Sequence, residues 1–361
     1  MIVPPNTLKD WAMSSRRSRP RIFLSVVASI LGLLAVLYLA GPRTEIDTSV
    51  TFDAGTIGDN PQAYLEAAEA AFPDIREGNG KQVVWADPES RRRTPLSIVY
   101  VHGFSASPGE LRPLPDRVAQ ELGANLYFTR LTGHGRSGDA MAEATVNAWV
   151  NDLAEAIAIG RRLGERVVLM GTSTGATLIT WGATQPILME DVAALVQISP
   201  NFRLKAPGSE ILTWPWGRQL ANLIIGESRG FTPRNALHAQ YWTSDYPTDA
   251  LMPMAALVKL ANDAEIHNIQ VPSLFVFSPL DEVVDAGATE AIIARWGAAT
   301  EVEQVAESGD PLHHVIAGDA LSPETTEALA ARIVAYLRTM APSEGAASAA
   351  LPAGFASVET R

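Results

Sequence analysis

The sequence predicts an α/β fold: a mostly parallel sheet with helices on both faces, an inserted helical cap, and one transmembrane helix before it. Short apolar runs alternate with segments of helical spacing between residues 96 and 341. Such alternation is typical of parallel sheets that are covered on both faces. A long uncharged apolar stretch near the N-terminus is the basis for the membrane helix.

The predicted strands are short apolar runs that end near glycine, serine or histidine, as strands that lead into loops do. They cover residues 82–85, 96–101, 125–130, 167–170, 192–198, 273–277 and 301–305. Helical spacing predicts helices over 61–72, 145–163 and 322–339. Ser322 is the candidate N-cap of the last helix, because the proline that follows it suits the first helical turn.

Residues 22–40 predict a transmembrane signal anchor. The stretch contains no charged side chain, and as a helix it would span about 28 Å, close to the roughly 30 Å hydrocarbon core of a bilayer. The basic segment 1–21 places the N-terminus in the cytoplasm and the rest of the chain in the periplasm or another extracytoplasmic space. A cleaved signal peptide is the alternative, although Tyr38 fits poorly with the small residues of a cleavage site.

The chain beyond the anchor divides into three predicted parts. Residues 41–95 form a stalk with the first sheet elements, long enough to hold the main domain clear of the lipid headgroups. Residues 96–341 form the main domain, and within it the interval at about 200–269, rich in Trp, Tyr and Pro, predicts a cap. Residues 342–361 are rich in Ala, Ser, Pro and Gly and predict a disordered tail.

Composition excludes several classes of protein. The formal net charge is −12 and the segment before the anchor is basic, so the remainder is strongly acidic and does not recruit nucleic acid. There is no cysteine, which rules out disulfides, cysteine–zinc sites and a thiol nucleophile. No phosphate-binding loop, dinucleotide fingerprint or metal-ligand spacing occurs, so neither a cofactor nor a metal is expected.

The pentapeptide Gly171-Thr172-Ser173-Thr174-Gly175 lies between a predicted strand and a helix-like stretch. This is the setting of a nucleophile elbow, a sharp turn that lifts a serine Oγ clear of the backbone while the helix N-terminus faces the developing oxyanion. Ser173 is therefore the candidate nucleophile. A glycine-rich turn without a chemical role is the alternative interpretation, which the other motifs disfavour.

A serine nucleophile needs an imidazole to take its proton and a carboxylate to orient that imidazole. Asp281 follows a late predicted strand, in the kind of loop where the carboxylate is expected, and Glu282 and Asp285 are less well placed alternatives. Of the six histidines, only His313 and His314 follow such a carboxylate. His314 is the preferred base because it directly precedes an apolar pair that would anchor its loop.

An oxyanion hole needs two backbone N–H groups that point at the tetrahedral intermediate. The amide of Thr174, directly after the candidate nucleophile, is one candidate, and the amide of Phe104, in the loop after an early strand, is the other. His102 and His134 lie in glycine-flanked turns, and we interpret both as structural residues.

Taken together, these motifs resemble the α/β-hydrolase superfamily, and within it the branch of carboxylesterases, monoacylglycerol lipases and serine aminopeptidase-like enzymes. The similarity covers roughly residues 95–340 and rests on the order and spacing of His102-Gly103-Phe104, Gly133-His134-Gly135, the elbow, Leu280-Asp281-Glu282-Val283-Val284 and His314-Val315-Ile316. The resemblance implies a triad of Ser173, Asp281 and His314 and a cap that contributes to the acyl or alcohol pocket. The anchor and the stalk depart from the compact enzymes of this branch.

The sequence therefore predicts a membrane-anchored serine hydrolase that cleaves carboxylic esters of small or lipid-like substrates through an acyl-enzyme intermediate. The same groups would also serve a peptidase, a thioesterase or an acyltransferase, because one triad supports all of these reactions. A membrane-tethered binding module with an inactive site is the alternative outside the enzymes. The anchor is expected mainly to retain the protein in its compartment.

Overall fold

The computed structural model describes residues 18–340. The predictions for the start of the basic segment, before residue 18, and for the tail at 342–361 lie outside the described residues. The strands are β1 (Gln82–Val84), β2 (Thr94–Val101), β3 (Asn125–Phe128), β4 (Gly164–Thr172), β5 (Val192–Ile198), β6 (Ser228–Gly230), β7 (Asp245–Pro247), β8 (Ser273–Phe277) and β9 (Thr300–Gln304).

The helices precede, cover and interrupt this set of strands. They are α1 (Ser18–Leu39), α2 (Pro61–Glu69), α3 (Leu114–Leu122), α4 (Val146–Leu163), α5 (Thr174–Ala183), α6 (Gly217–Ile225), α7 (Ala236–Tyr241), α8 (Leu251–Asp263), α9 (Ala286–Ile293) and α10 (Pro323–Arg338). The last helix begins one residue after Ser322 as predicted, but the Ser322 side chain makes no capping hydrogen bond. Its hydroxyl donates instead to the carbonyl of Val315.

Seven strands form the central sheet in the order β1-β3-β2-β4-β5-β8-β9. Only β1 is antiparallel to its neighbour, and the other pairs are parallel. The chain passes from β2 to β3 on one side and then to β4 on the other, so the loops that follow β2 and β4 diverge. In open α/β sheets this reversal opens a crevice at the carboxyl ends of the strands, where ligands bind.

Side chains of successive strand residues enter two separate cores, as the twofold repeat of a strand requires. In β2, Val99 and Val101 join the core covered by α4, α5 and α8. Ile98 and Tyr100 join the core on the other face, covered by α3 and α10. The predicted mostly parallel sheet with helices on both faces is thus confirmed.

The segment between the anchor and β1 packs against the main domain. The Asn151 side chain on α4 accepts hydrogen bonds from the amides of Thr51 and Phe52, both at 2.8 Å. Arg162 on the same helix donates to the carbonyl of Ala54 at 2.7 Å. These contacts attach residues 51–54 to the outer side of α4, so this part of the predicted stalk segment packs on the main domain.

Helix α1 contains the predicted membrane segment. Residues Ile22–Leu39 are long and apolar enough to cross a membrane, and none of this stretch is buried against the rest of the protein. Length and composition alone support the crossing.

The predicted cap interval contains more than helices. Strands β6 and β7 pair in an antiparallel ribbon, which the sequence did not indicate because both strands are short and polar. The last helix of the interval, α8, contributes Met254, Leu257 and Ala261 to the core below the sheet. We therefore propose that the cap itself ends near Ala250.

The start of α5 lies in contact with β2 because a glycine is present there. A Cβ at Gly175 would lie 2.2 Å from the carbonyl oxygen of Val101, whereas one at Gly182 on the same helix would meet the flexible end of the Leu153 side chain at 2.6 Å. Gly175→Ala must displace backbone, and we expect it to lower the free energy of unfolding by about 2 kcal/mol. Gly182→Ala, the matched control, is expected to change it by less than half as much, since alanine also favours the helix.

Urea unfolding monitored by circular dichroism measures both variants. Equal destabilisation by the two substitutions would contradict the assignment of a backbone clash to Gly175.

Candidate active site

Ser173 occupies a strained turn between β4 and α5. Its φ of 51° and ψ of −117° are unusual for a residue with a side chain, and such strain persists only when the surroundings impose it. Here the Ser173 N–H donates to the carbonyl of Ile198 at 2.9 Å, and its carbonyl accepts from the amide of Asn201 at 3.2 Å. Strand β5 and the loop after it thus hold the elbow on one side.

The structure brings the three predicted residues of the triad together. His314 Nε2 lies 3.1 Å from Ser173 Oγ, and His314 Nδ1 lies 2.7 Å from Asp281 Oδ2. All three residues are buried, with Asp281 the most deeply placed. The second carboxylate oxygen of Asp281 accepts the amides of Val283 and Val284 at 2.7 and 2.8 Å, so this side chain is fixed at both ends.

The alternative residues of the sequence analysis have other surroundings. Glu282 pairs with Lys205 at 2.9 Å at the surface. Asp285 pairs with Arg203 and accepts the amide of Gly287 at the start of α9. His313 has a φ of 52°, and among the described residues its buried Nδ1 has no hydrogen-bond partner. His314 is the histidine that lies between Ser173 and Asp281.

The loop that carries His314 is organised by a carboxylate that the sequence analysis missed. Asp310 Oδ2 accepts the amides of His314 and Val315 at 3.2 and 3.0 Å. Its other oxygen pairs with Arg234 of the cap at 3.1 Å. The signal in the sequence is weak, because a single aspartate in a loop has the same appearance as a solvated turn residue.

Electrostatics around His314 favour its protonated form. Burial of the imidazole lowers the pKa, but the hydrogen bond and charge of Asp281, with the charges of Glu110 and Asp310, raise it above the ordinary value of 6.5. A base must be neutral to accept the serine proton. The arrangement therefore stabilises an imidazolium at this position, and a base here would become neutral only at higher pH.

The two amides expected to form the oxyanion hole flank the nucleophile. Thr174 begins α5, and Phe104 lies in the loop after β2, where a Cβ added at Gly103 would be 3.2 Å from Ser173 Cβ. Within residues 18–340, neither amide N–H has a protein acceptor. Both are therefore free to donate to a ligand oxygen.

Glu110 makes hydrogen bonds that fix the loop after β2, and the sequence analysis did not recognise it. Its Oε2 accepts the Gly103 N–H at 2.8 Å and the Tyr100 hydroxyl at 2.9 Å. Burial raises the pKa of Glu110 to about 7, although these two hydrogen bonds oppose the rise. A glutamate a few residues after a tight loop gives no periodic signal, so only the three-dimensional contact reveals its role.

His102 and His134 lie close to the site but have structural partners. His102 Nδ1–H donates to the carbonyl of Gly103 at 2.9 Å, and its Nε2 accepts the amide of Leu131 at 3.1 Å. Burial lowers the pKa of His102 well below its usual range, in accord with a neutral ring. The His134 ring is tilted against His102 and packs edge-on against Phe104, and burial lowers the pKa of His134 to about 4.

The cap contacts the loop after β2 directly. The amide of Thr243 donates to the carbonyl of Ser105 at 2.7 Å, and the ring of Tyr246 packs edge-on against Phe104 with centroids 5.3 Å apart. The cap therefore packs an aromatic side chain against the loop that carries the Phe104 amide.

In the described part of the chain, no group of three or more His, Cys, Asp or Glu residues is arranged to hold a metal ion.

The fold defines the class of protein: the chain is an α/β-hydrolase. A family model described as "Serine aminopeptidase, S33" matches residues 93–314, more than half of the chain, and the chain belongs to this family. A thermostable monoacylglycerol lipase from Bacillus sp. is 26% identical over 220 residues, which cover 61% of this chain and 84% of the relative. The chain is thus a lipase- and esterase-like member of the α/β-hydrolases.

Solved structures agree on the fold. One of the metagenome-derived lipolytic enzymes LipS and LipT superposes with a TM-score of 0.59 at 21% identity, covering 74% of this chain and 98% of that one. A soluble variant of monoglyceride lipase from Saccharomyces cerevisiae, in complex with a substrate analog, gives 0.54 at 12% identity, with 73% and 92% covered. The Paleococcus ferrophilus monoacylglycerol lipase gives 0.51 at 16%, with 73% and 99% covered.

Asp281→Asn removes the charge that raises the pKa of His314. We expect kcat/KM for a soluble ester to fall by up to about 10⁴-fold, as loss of the corresponding carboxylate does in a serine protease. The ascending limb of the pH profile should move to lower pH, because the residual base becomes neutral earlier. Glu282→Gln, one residue away, is the control and should leave rate and profile unchanged. An Asp281→Asn enzyme with wild-type activity would contradict the assignment.

Glu110→Gln tests the buried carboxyl group through stability. The pKa of about 7 in the folded protein lies above the ordinary 4.5, so the stabilising contribution of this group is present below pH 4.5 and is lost as the pH rises to about 7. The amide side chain of the variant does not ionise, so the variant should gain on the order of 3 kcal/mol relative to wild type between pH 4.5 and pH 8.

Urea unfolding at the two pH values measures this gain, with the exposed Glu165→Gln as the control. A difference between variant and wild type that does not change with pH would rule out a raised pKa at Glu110.

Proposed function

We propose that this protein is a serine hydrolase that cleaves carboxylic esters through an acyl-enzyme intermediate. The hydrogen-bonded series Ser173–His314–Asp281, with distances of 3.1 and 2.7 Å, is the observation that carries the proposal. A serine hydroxyl within reach of a buried, carboxylate-oriented imidazole is the arrangement that nucleophilic acyl transfer requires.

In the proposed reaction, His314 Nε2 takes the proton from Ser173 Oγ as the oxygen attacks the ester carbonyl carbon. The tetrahedral intermediate collapses when the imidazolium returns this proton to the leaving alcohol, and the acyl group stays on Ser173. Water, deprotonated by the same imidazole, then attacks the acyl-enzyme and releases the carboxylic acid. Asp281 stabilises the imidazolium in both halves of the cycle.

The amides of Phe104 and Thr174 are proposed to hold the oxyanion. Each donor of this kind contributes about 3 kcal/mol to the stability of the transition state, judged by the effect of removing one. Their free N–H groups support the assignment, and the Glu110–Gly103 hydrogen bond holds the first of them in place.

We propose a monoacyl, lipid-like ester as the substrate class. One relative is named as a thermostable monoacylglycerol lipase, and the apolar Phe104–Tyr246 contact beside the loop after β2 suits an apolar acyl chain. The family description names a serine aminopeptidase, so hydrolysis of an N-terminal aminoacyl amide is the second candidate, and thioesterase or acyltransferase activity would use the same groups.

The helix Ile22–Leu39 is proposed to anchor the enzyme in a membrane. Basic residues precede it, and acidic residues such as Glu45, Asp47 and Asp53 follow it, which favours a cytoplasmic N-terminus and a catalytic domain in the periplasm or another extracytoplasmic space.

Ser173→Ala should abolish the reaction without unfolding the protein. We expect wild type to react with a fluorophosphonate probe and to hydrolyse p-nitrophenyl esters and monoacylglycerols, with at least about 10³-fold less turnover for the variant, since the nucleophile carries most of the rate. Ser209→Ala, a serine in the cap, is the matched control. The measurements are gel fluorescence of the labelled protein and release of p-nitrophenol or fatty acid.

An equal rate for wild type and Ser173→Ala would overturn the triad. A strong preference for aminoacyl p-nitroanilides over esters would be consistent with the triad but would favour the peptidase alternative.

A further inference from the structure

We propose that the cap rests on the bilayer surface at the end of the anchor helix, through a set of exposed apolar side chains that we call the cap surface: Trp214, Trp216, Leu223, Ile224 and Ile225. The partner is the lipid headgroup and upper acyl region of the membrane that α1 crosses. This inference rests on the proposed membrane anchoring and does not require the proposed hydrolase activity.

The anchor and the cap are joined by direct contacts. The indole Nε1–H of Trp216 donates to the carbonyl of Leu37, in the last turn of α1, at 2.9 Å. The backbone N–H of Trp216 donates to the carbonyl of Pro42 at 2.8 Å. Gly41 is buried between the two parts, and a Cβ there would lie 2.3 Å from Trp216 Nε1. The start of α6 is therefore attached to the point where the anchor ends.

The cap surface is apolar where a soluble domain would be polar. Leu223 is 82% exposed, Ile224 61% and Trp214 47%, and Trp216 and Ile225 are also exposed. Gly217 and Ala221 of α6 are buried. At about 100° per residue, Leu223 lies on the side of the helix away from them, and Ile224 and Ile225 lie at the edges of the buried face. A short helix with one side in the protein and bulky apolar residues on the outside is typical of elements that lie in the membrane interface.

The position of the cap surface follows from the length of α6. Leu223 is seven residues after Trp216 in the chain, and at 1.5 Å per residue it lies about 10 Å from it along the helix. The interfacial region of a bilayer is roughly 5 to 8 Å thick on each side of the hydrocarbon core. Leu223 thus stays within the interface when α6 runs along the bilayer surface, which is the orientation that the proposal requires.

Aromatic residues mark the same level. Tyr38, in the last turn of the anchor, is exposed, as are Trp214 and Trp216 in the cap. Trp and Tyr are enriched at the membrane–water interface because their rings combine an apolar body with a polar edge. Aromatic residues from two separate parts of the chain therefore lie near the end of the anchor helix, where the proposal places the membrane interface.

A lipid surface fits these observations better than a second copy of the chain or another protein. The hydrogen bonds between Trp216 and the end of α1 keep the cap surface beside the bilayer whenever α1 is inserted. No additional partner is needed to remove these side chains from water. Since the cap also contacts the loop after β2 through Thr243, the same arrangement holds the Ser173 site close to the membrane.

The experiment uses the full chain in phosphatidylcholine–phosphatidylglycerol vesicles. Because the natural sequence has no cysteine, Leu223→Cys can be labelled at a single site with an NBD fluorophore. Ile187→Cys is the matched control, because Ile187 is 78% exposed but lies before β5, at the edge of the sheet opposite to the site. We expect blue-shifted emission and quenching by nitroxide-labelled lipids at position 223, and neither at position 187.

Equal, unquenched emission from both positions would overturn the proposal. A blue shift at position 223 that lipid nitroxides do not quench and that grows with protein concentration would overturn it in favour of a second copy. Neither fluorescence readout depends on Ser173. A wild-type protein without esterase activity would therefore refute the proposed function but not the docking of the cap.

A kinetic measurement tests whether the cap surface affects hydrolysis of a membrane-bound substrate. Leu223→Ser combined with Ile224→Ser should lower kcat/KM for a monoacylglycerol carried in the same vesicles by on the order of tenfold, because two aliphatic side chains no longer enter the interface. Hydrolysis of a water-soluble p-nitrophenyl ester should stay unchanged, as should both substrates with Ile187→Ser. An equal decrease for the vesicle-bound and soluble substrates would contradict a docking role.

Discussion

The contact between α5 and the end of β2 places Ser173 beside the loop that carries Phe104. At Gly175 the helix lies against the carbonyl of Val101 with no room for a side chain, so Ser173 at the helix N-terminus stands directly beside the loop that follows β2. Because the strand order reverses between β2 and β4, the two loops leave the sheet in different directions. The crevice between them receives a nucleophile from one side and the Phe104 amide from the other.

His314 has three carboxyl groups near it in a buried region. Asp281 is hydrogen-bonded to the imidazole. Glu110 accepts the Gly103 amide in the loop after β2, and Asp310 accepts the amide of His314 itself. A neutral imidazole gains little from these carboxylates, whereas an imidazolium gains much, since charge interactions strengthen in a buried site. In the proposed reaction, these surroundings would favour the transient imidazolium over the neutral base, as catalysis by differential stabilisation requires.

The sequence predicted the elements that obey local rules. Strand and helix periodicity indicates the sheet, and the elbow, the strand-end Asp281 and the paired histidines follow in an order that leaves few other combinations. Glu110 and Asp310 escaped prediction because each acts through backbone amides that the fold brings to it. The ribbon β6–β7 was not predicted because its strands are short and polar. The packing of residues 49–58 on α4 was not predicted because an irregular segment has no repeat to interpret.

The end of the anchor gives the cap a different role from that of a simple lid. In a soluble enzyme the cap surface would expose bulky apolar residues to water at a cost, and selection would replace them with polar ones. Here the Trp216 hydrogen bonds to Leu37 and Pro42 tie the same surface to a helix suited to cross a bilayer. An amphiphilic ester already in that bilayer would then reach Ser173 by moving along the cap and not through bulk water, so its local concentration would be set by partitioning into the membrane.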